Sequence, residues 1–310
     1  MRTVKTLWHT RRKLLVKIVL AVSLTVFLVP VALGIITMSA LLFPSCGDSS
    51  STPADYGLIW EDVTIKTKSG DSVRAYFIPG TNRAAILIAP STNNGRGSRL
   101  PLAALLAQHG YAVLTFESRR CAGMGALSLG YKEAGDVGDA LAYLQTRSDI
   151  DPDRIGVTGF SSAGATAILA AARFGDLKAV IAEGGYGDFA EEAVGIGSGD
   201  GTLLEIIYKQ SLSTTYHLIT GIDIDKLSPV DVIADIAPRP ILLIYGSDEV
   251  SLSGGYRQAA AAGPNAELWV VEKAGHGRYR LVAPVEYETR VVKFFDRALL
   301  TKGLDDEQRR

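Results

Sequence analysis

One serine stands where a buried strand would give way to a helix. Residues 154–172, RIGVTGFSSAGATAILAAA, begin with a short β-branched run that is typical of a buried strand. They end in an alanine-rich stretch that predicts a helix. Ser161 lies between the two, with small residues on either side. A sharp strand-to-helix turn of this kind exposes a hydroxyl group, so Ser161 is the first candidate for chemistry.

The residues around Ser161 fit the needs of a nucleophilic hydroxyl. Such a hydroxyl requires a base that removes its proton and donors that stabilise the oxyanion formed by its attack. A tight turn would require small residues at Gly159 and Ala163, and it would aim the N–H of Ser162 at the developing charge. The pattern G-x-S-x-G here ends in Ala163, and short patterns of this kind also occur in ordinary turns. The interpretation therefore depends on finding partners elsewhere.

Two further strand exits carry an acid and a base. Asp248 follows a buried run at 241–245, and His276 stands between two glycines after a run at 267–271. The chain order is therefore serine, acid, histidine, with each residue at the carboxyl end of a predicted parallel strand. Ligands of open α/β sheets bind at that edge. We expect Ser161, Asp248 and His276 to meet there.

A second loop could complete an oxyanion hole. Residues 90–97 leave the apolar run at 83–89 and enter a predicted helix at 100–109. Backbone N–H groups near Ser91 could then act together with that of Ser162. The alternative is a plain surface loop.

Apolar runs and helical segments alternate along most of the chain. A hairpin is expected from 61–67 and 72–78, with turn residues between them. The later runs are continuously apolar, which predicts a mostly parallel, doubly wound sheet covered by helices on both faces. The further predicted strands are 83–89, 111–116, 155–158, 177–182, 241–245 and 267–271, and the helices are 100–109, 131–144, 163–172, 256–262 and 282–300.

The segment between the predicted strands 177–182 and 241–245 has a different composition. It contains acidic residues, the glycine-rich stretch 195–201 and a weakly helical pattern. An insertion at about 186–227 would lie over the carboxyl ends of the strands, so we predict a small lid. The glycine-rich stretch lacks the Gly-Lys-Ser/Thr ending of a phosphate-binding loop.

Composition limits the classes of partner. The 310 residues include 32 basic and 33 acidic side chains, a formal charge of −1, which argues against a nucleic-acid partner. No two of the four histidines have metal-ligand spacing, so neither metal nor cofactor is expected. The two cysteines, Cys46 and Cys121, form no disulfide framework, although one bridge between them remains open.

The N-terminus has the pattern of a membrane anchor. Residues 18–43 carry no charge, and as a helix of about 39 Å they would span a bilayer core of about 30 Å. Six basic residues precede this run, and no Lys or Arg follows it before Lys66. The positive-inside rule therefore predicts that residues 1–17 are cytoplasmic and that the remainder is extracytoplasmic. A linker at 44–58, a domain at 59–302 and a charged tail at 303–310 would follow.

Two other processing routes remain open. A cleaved secretory signal would normally have a shorter apolar core and an A-x-A site. A lipoprotein signal would end at Cys46, but the sequence FPSC fits that motif only loosely.

Several motifs together resemble the α/β-hydrolase superfamily. They are GFSSAG around Ser161, RPILLIYGSDEV around Asp248 and ELWVVEKAGHG around His276, with FESRR and DPDRIGVTG in support. The resemblance covers about residues 60–300 and is nearest to the dienelactone-hydrolase and serine-aminopeptidase-like branches. It implies that Ser161 is the nucleophile, that His276 is the general base and acid, and that a carboxylate orients the imidazole.

The resemblance leaves a choice of acid. Members of the superfamily often carry it three residues after the glycine, which here is Glu249. The D-E-V order and the short spacing to the alanines at 259–262 instead favour Asp248, as if one residue were deleted.

These features predict a membrane-anchored serine hydrolase that cleaves an ester, thioester or amide through an acyl-serine intermediate. A small lid favours small or lipid-like acyl esters over peptides. The alternatives are an aminopeptidase-like serine peptidase and an inactive hydrolase fold that serves as a binding module. The loop at Ser91 lacks the usual His-Gly, and Arg96, Arg119 and Arg120 could meet an anionic substrate or simply face solvent. The oligomeric state stays open.

Overall fold

One mixed sheet of eight strands forms the centre of the molecule. The structure is a computed structural model that describes residues 2–47, 51–90, 92, 95–195 and 201–301. Its strands follow the order β1-β2-β4-β3-β5-β6-β7-β8 across the sheet. They are β1 Glu61–Lys66, β2 Ser72–Ile78, β3 Ala85–Ile88, β4 Ala112–Phe116, β5 Ile155–Phe160, β6 Ala179–Glu183, β7 Ile241–Gly246 and β8 Ala266–Val271.

The predicted doubly wound sheet is confirmed. Strands β1 and β2 form an antiparallel hairpin, β2 pairs antiparallel with β4, and the pairings from β4 through β8 are parallel. Strands β3, β4, β6 and β7 are buried along their whole length, which explains why their sequences are continuously apolar instead of alternating. The carboxyl ends of the parallel strands therefore share one edge of the sheet.

Helices cover both faces of the sheet. The α-helices are α1 Arg2–Leu42, α2 Leu100–Gln108, α3 Tyr131–Gln145, α4 Ser162–Arg173, α5 Leu203–Thr220, α6 Pro229–Val232, α7 Leu252–Ala262, α8 Tyr279–Val282 and α9 Pro284–Phe295. Helices α3 and α4 contribute to the core on one face, and α2 and α9 to the core on the other. The helix predicted at 282–300 begins instead at Pro284, whose missing N–H separates it from α8, and its last turn, Asp296–Leu300, is π-helical.

The first helix is long and partly packed on the domain. Residues Arg11–Leu42 are long and apolar enough to cross a membrane, with a mean hydropathy of 2.7 in the most apolar window. From Arg11 to Val29 every residue is exposed, whereas Pro30, Gly34, Met38 and Leu42 are buried. These four residues lie four apart and so share one face of the helix. That face packs against the domain.

Helix α5 is the main partner of that face. Ser211 Oγ donates a hydrogen bond of 2.8 Å to the carbonyl oxygen of Val31. At Gly34 the two helices are so close that an added Cβ would lie 2.7 Å from Ser211. Helix α5 lies within the insertion at 186–227, together with a π-helical turn at Ala190–Val194 and a 3-10 turn at Ile224–Lys226. A small core of residues from α1 and this insertion joins them to the domain.

A disulfide bond fixes the chain just beyond α1. Cys46 and Cys121 are joined, with their Cα atoms 5.5 Å apart. The bond occupies the sulfur to which a lipoprotein would have attached its lipid as a thioether, so Cys46 is not a lipid attachment site in this structure. In the segment predicted as a linker, Pro53–Tyr56 form a 3-10 turn. The predicted tail at 303–310 and most of the glycine-rich stretch at 195–201 lie outside the described residues.

Candidate active site

Ser161 occupies a strained turn between β5 and α4. Its backbone angles are φ 58° and ψ −128°, a positive φ that is rare for a residue with a side chain. Its N–H donates a hydrogen bond of 2.8 Å to the carbonyl oxygen of Glu183 at the end of β6. A Cβ at Gly159 would lie 2.0 Å from the carbonyl oxygen of Ala163, so a side chain there cannot fit. The turn is the nucleophile elbow that the sequence predicts.

The alanine in the last place of the motif is accommodated. The side chain of Ala163 is buried in the core beside the sheet. The close approach instead falls on Gly164, where an added Cβ would lie 2.9 Å from the carbonyl oxygen of Glu183. Because glycine follows directly, the methyl group at position 163 does not disturb the turn.

His276 follows β8 and packs on the residue before the elbow. The centroids of its ring and that of Phe160 are 4.7 Å apart. Gly277 has a φ of +74°, and a Cβ there would lie 2.7 Å from the Phe160 ring. A glycine after His276 is therefore required both by the backbone conformation and by the aromatic neighbour. These contacts direct the imidazole to the edge of the sheet that holds Ser161.

The imidazole of His276 is paired with a buried carboxylate. Nδ1 of His276 lies 2.6 Å from Oε1 of Glu249, whose side chain is only 2% exposed. Three more donors reach the same carboxylate: the N–H of Gly246 at 2.8 Å, the hydroxyl of Tyr279 at 2.8 Å and the hydroxyl of Ser251 at 2.9 Å. The buried carboxylate of Glu249 is thus hydrogen-bonded to four protein groups.

These donors keep Glu249 ionised. Burial by itself raises the pKa of the carboxyl group, because the charged form loses its water. The hydrogen bonds from His276, Gly246, Tyr279 and Ser251 outweigh burial and leave the pKa below its usual value. An ionised carboxylate only accepts hydrogen bonds, so Nδ1 of His276 carries the proton and Nε2 faces away from Glu249.

The prediction that Asp248 pairs with His276 is wrong. Asp248 is exposed, and its carboxylate accepts a hydrogen bond from Ser247 Oγ at 2.9 Å. The N–H of Asp248 donates to the carbonyl oxygen of Ala274 at 3.0 Å, which ties the loop after β7 to the loop after β8. Residue 249 faces inward to His276, whereas residue 248 is exposed and lines the same cavity as Ser161. The usual spacing of three residues after Gly246 therefore holds, without a deletion.

Tyr279 and Gly184 are parts of the site that the sequence analysis missed. Tyr279 is buried, and both burial and its hydrogen bond to Glu249 raise the pKa of its phenol. Gly184 follows β6 with a φ of +57°, and a Cβ there would lie 2.5 Å from Oε1 of Glu249. Their only sequence signals were a tyrosine three residues after His276 and a glycine directly after a strand.

Of the two residues predicted to form the oxyanion hole, Ser162 lies at the elbow. Ser162 is the first residue of α4, and the N–H groups of a first helical turn have no partner within the helix. Its N–H is therefore free to bind an anion beside Ser161. Ser91 lies outside the described residues.

Ser161 and His276 open onto the same cavity. The cavity has a volume of about 630 Å³, and Ser162 and Glu249 also line it. Among the described contacts, no hydrogen bond joins the Ser161 hydroxyl to the imidazole, which agrees with the loose geometry of many substrate-free sites. Much of the remaining wall is apolar and includes Ala40, Leu41, Pro44, Leu129, Tyr186, Phe189 and Val250. The site thus combines a small polar cluster with a hydrophobic surface.

The three arginines singled out in the sequence have protein partners instead. Arg96 pairs with Asp62 at 2.5 Å, and Arg119 pairs with Asp136 at 2.9 Å. Arg120 lies over the ring of Phe43, 5.3 Å from its centroid. The prediction that they could meet an anionic substrate therefore finds no support in their contacts. Within the described ranges, no group of three or more His, Cys, Asp or Glu side chains is placed to hold a metal ion.

The fold and this site define an α/β hydrolase. The strand order, the elbow at Ser161 and the histidine after the last strand are the features of that class. The family model of the X-Pro dipeptidyl-peptidases (S15 family) matches residues 51–225, more than half of the chain. The chain belongs to this peptidase S15 family. The resemblance to α/β hydrolases inferred from the motifs is thereby confirmed.

Individual relatives support the fold but assign no activity. The chain is 29% identical to the uncharacterized protein YfhR of Escherichia coli O157:H7 over 60% of its own length, which spans 62% of that protein. It is 24% identical to YfhR of Salmonella typhimurium over 96% of its length and the whole of that protein. Esterase Pf2001 of Pyrococcus furiosus has a similar structure, with a TM-score of 0.64 and 21% identity over 84% of this chain and 98% of that one.

Proposed function

We propose that this protein is a serine hydrolase that cleaves carboxylic esters through an acyl-serine intermediate. One observation carries the proposal: Ser161 on a strained elbow and His276 paired with buried Glu249 open onto one cavity. The same arrangement would also serve a thioester or an amide, because all three react through a tetrahedral oxyanion.

Each residue has a defined part in the proposed reaction. The hydroxyl oxygen of Ser161 attacks the carbonyl carbon of the ester, and Nε2 of His276 takes the hydroxyl proton. Glu249 accepts the hydrogen bond from Nδ1 throughout and stabilises the imidazolium that forms. The N–H of Ser162 binds the oxyanion. When the carbon–oxygen bond to the alcohol breaks, His276 returns the proton to the leaving alcohol.

Deacylation repeats these steps with water. His276 removes a proton from the water molecule, whose oxygen attacks the carbonyl carbon of the acyl-serine. The second tetrahedral intermediate collapses to a carboxylic acid, and the Ser161 oxygen regains its proton from His276. The net reaction is ester plus water to acid plus alcohol.

The cavity favours an acyl group over the end of a peptide. A dipeptidyl-peptidase or aminopeptidase must hold a protonated amino terminus, for which a free carboxylate is the natural partner. Two acidic residues besides Glu249 line the cavity. The carboxylate of Glu192 already accepts hydrogen bonds from the N–H groups of Gly187 and Asp188 and from Arg257. An amino terminus would therefore bind at exposed Asp248, whose carboxylate accepts a hydrogen bond from Ser247 Oγ. The apolar wall, by contrast, suits a small or lipid-like acyl chain. The name of the matched family keeps an aminopeptidase-like activity as the second candidate.

We propose further that α1 anchors the hydrolase in a membrane, with the N-terminus in the cytoplasm and the catalytic domain outside. The apolar helix and the basic residues before it support this orientation. The Cys46–Cys121 disulfide supports it independently, because such bonds persist in oxidising compartments and are rare in the cytosol.

Active-site labelling tests the proposal directly. One portion of the purified full-length protein and of its Ser161→Ala variant would be labelled with a fluorophosphonate, and a separate, unlabelled portion of each would be assayed on a panel of acyl esters and a panel of aminoacyl amides. We expect an adduct at Ser161 and Ser161-dependent turnover of esters. Turnover confined to the amides would favour the peptidase. A lack of any Ser161-dependent adduct would favour an inactive hydrolase fold that serves as a binding module.

A further inference from the structure

The end of the apolar helix forms part of the cavity that holds Ser161. Ala40 and Leu41, in the last turn of α1, and Pro44, just beyond it, line the same cavity as Ser161 and His276. A helix that served only as a tether would have no reason to reach the catalytic serine. Its outer end is instead part of the substrate site.

Several contacts hold this end of α1 in place. The N–H of Leu127 donates a hydrogen bond of 2.9 Å to the carbonyl oxygen of Leu42. Four residues further on, Cys46 is joined to Cys121 by the disulfide. Met38 and Leu42 are fully buried in the small core shared with the 186–227 insertion. The position of Leu41 in the cavity wall is therefore a fixed feature of the fold.

The mouth of the cavity has an exposed apolar rim. Leu41 is 44% exposed and Val250, in the loop between β7 and α7, is 95% exposed, yet both line the cavity. An almost fully exposed valine directly after Glu249 gains nothing from the folding of this chain. Exposed apolar side chains at a site entrance indicate a surface that meets another apolar phase.

Helix α1, which leads to Leu41, indicates that this apolar phase is a membrane. From Leu41 back to Leu14, α1 presents exposed apolar side chains in nearly every turn, and it is the candidate membrane span. Leu41 thus joins the apolar rim to the part of the chain that would lie in lipid. A substrate that moves from a bilayer to Ser161 along this face would not need to expose its acyl chain fully to water.

We propose that the substrate is a long-chain acyl ester resident in the bilayer, and that its acyl chain enters the cavity across the rim formed by Leu41 and Val250. This inference rests on the proposed serine-hydrolase activity and on the membrane anchor, and it names the substrate class for that site. Leu41 and Val250 then determine specificity: they select esters that the membrane presents over esters dissolved in water.

The test compares two esters with the full-length protein in phosphatidylcholine vesicles. One is a water-soluble fluorogenic butyrate ester, and the other is a fluorogenic dioleoylglycerol-type ester embedded in the vesicles. The variant is Val250→Asn, which replaces the exposed rim side chain by a neutral polar group. Its matched control is Val285→Asn, because Val285 is 77% exposed at the start of α9 and does not line the cavity.

The readout is the ratio of the rate on the embedded ester to the rate on the soluble ester. We expect Val250→Asn to lower this ratio about tenfold and Val285→Asn to leave it within twofold of the wild type. Because each ratio is taken within one protein, any effect of Val250→Asn on neighbouring Glu249 cancels. A second pair on α1, Leu41→Gln against Ile36→Gln, repeats the comparison, since Ile36 is 64% exposed and does not line the cavity.

The outcomes separate this inference from the proposed function. Hydrolysis of the soluble ester without hydrolysis of the embedded ester would overturn the inference and leave the serine hydrolase intact. An equal ratio in Val250→Asn and Val285→Asn would overturn the role of the rim. If neither ester is hydrolysed in a Ser161-dependent manner, the proposed function itself fails.

Discussion

Nδ1 of His276 and Oε1 of Glu249 are 2.6 Å apart, in a site where Glu249 is buried and neighbouring Asp248 is exposed. This pairing sets the tautomer of the imidazole and turns its second nitrogen away from the carboxylate. It also makes a prediction that distinguishes two acidic residues adjacent in the sequence.

Replacement of Glu249 by Gln should lower kcat by about 10³–10⁴-fold, because a neutral amide no longer enforces the Nδ1–H tautomer or stabilises the imidazolium. Replacement of Asp248 by Asn is the matched control and should lower kcat by less than about tenfold, since among the described side chains its carboxylate contacts Ser247 and not His276. Steady-state kinetics on a short-chain ester would measure both. Equal losses in the two variants would contradict the assignment.

Glu249 should also contribute to the pH dependence of stability. Folding lowers the pKa of Glu249 from its ordinary value, which is about 4.3 for an unperturbed glutamate. The ionised form is therefore favoured by folding, so its contribution is fully present above that pH and is lost as the pH falls through the lower, folded-state pKa. The wild type should lose unfolding free energy in that window.

The Glu249→Gln variant isolates this contribution from those of other carboxylates. The difference in unfolding free energy between wild type and variant, measured by denaturant titration, should be largest above about pH 4.3 and should shrink as the pH falls below it. A difference that grows toward low pH would contradict a lowered pKa.

Two glycine-to-alanine variants test the close packing of the elbow, one at Gly159 in the elbow and one at Gly135 in α3 as the control. A Gly159→Ala change would place a methyl group 2.0 Å from the carbonyl oxygen of Ala163, so the turn must shift or open. We expect a loss of at least about 2 kcal/mol of stability and of nearly all activity. In Gly135→Ala, within α3, the new methyl group meets nothing within 4 Å, and stability should rise by up to about 1 kcal/mol. Thermal unfolding and ester kinetics of both variants provide the comparison.

Much of the sheet and two of the site residues were predictable because local sequence determines them. Continuous apolar runs indicate strands that are buried on both faces, and the elbow at Ser161 follows from small residues between a strand and a helix. His276 was marked by the glycines on either side, and Gly277 is indeed required by its positive φ and by the ring of Phe160.

The partner of His276 could not be derived in the same way. Whether residue 248 or 249 faces inward depends on the hydrogen bond between Asp248 N–H and the carbonyl oxygen of Ala274, which lies in another loop. The position of α1 is a similar case. Its apolar composition predicts a membrane span, but it does not reveal that the outer end packs on the domain, as Gly34 does on Ser211.

The Cys46–Cys121 bond should stabilise the folded protein. The bond closes a loop with a sequence separation of 75, for which the chain-entropy model gives about 4 kcal/mol. Replacing both cysteines by serine should therefore lower the unfolding free energy by about 2–4 kcal/mol. A reducing agent should have the same effect on the wild type and none on the double variant. A reducing agent that destabilises both proteins equally would show that the bond is not responsible.

The contact between α1 and α5 supplies the last prediction. At Gly34 an added Cβ would lie 2.7 Å from Ser211, whereas Ala32 is exposed on another face of the same helix. Gly34→Val should separate α1 from α5, cost about 1–3 kcal/mol by overpacking and move Leu41 in the cavity wall. Ala32→Val, the control, makes a similar apolar addition without a clash and should unfold at the wild-type temperature in detergent. If both variants match the wild type in Tm and ester kinetics, α1 is only a tether, and its contribution to the cavity is refuted.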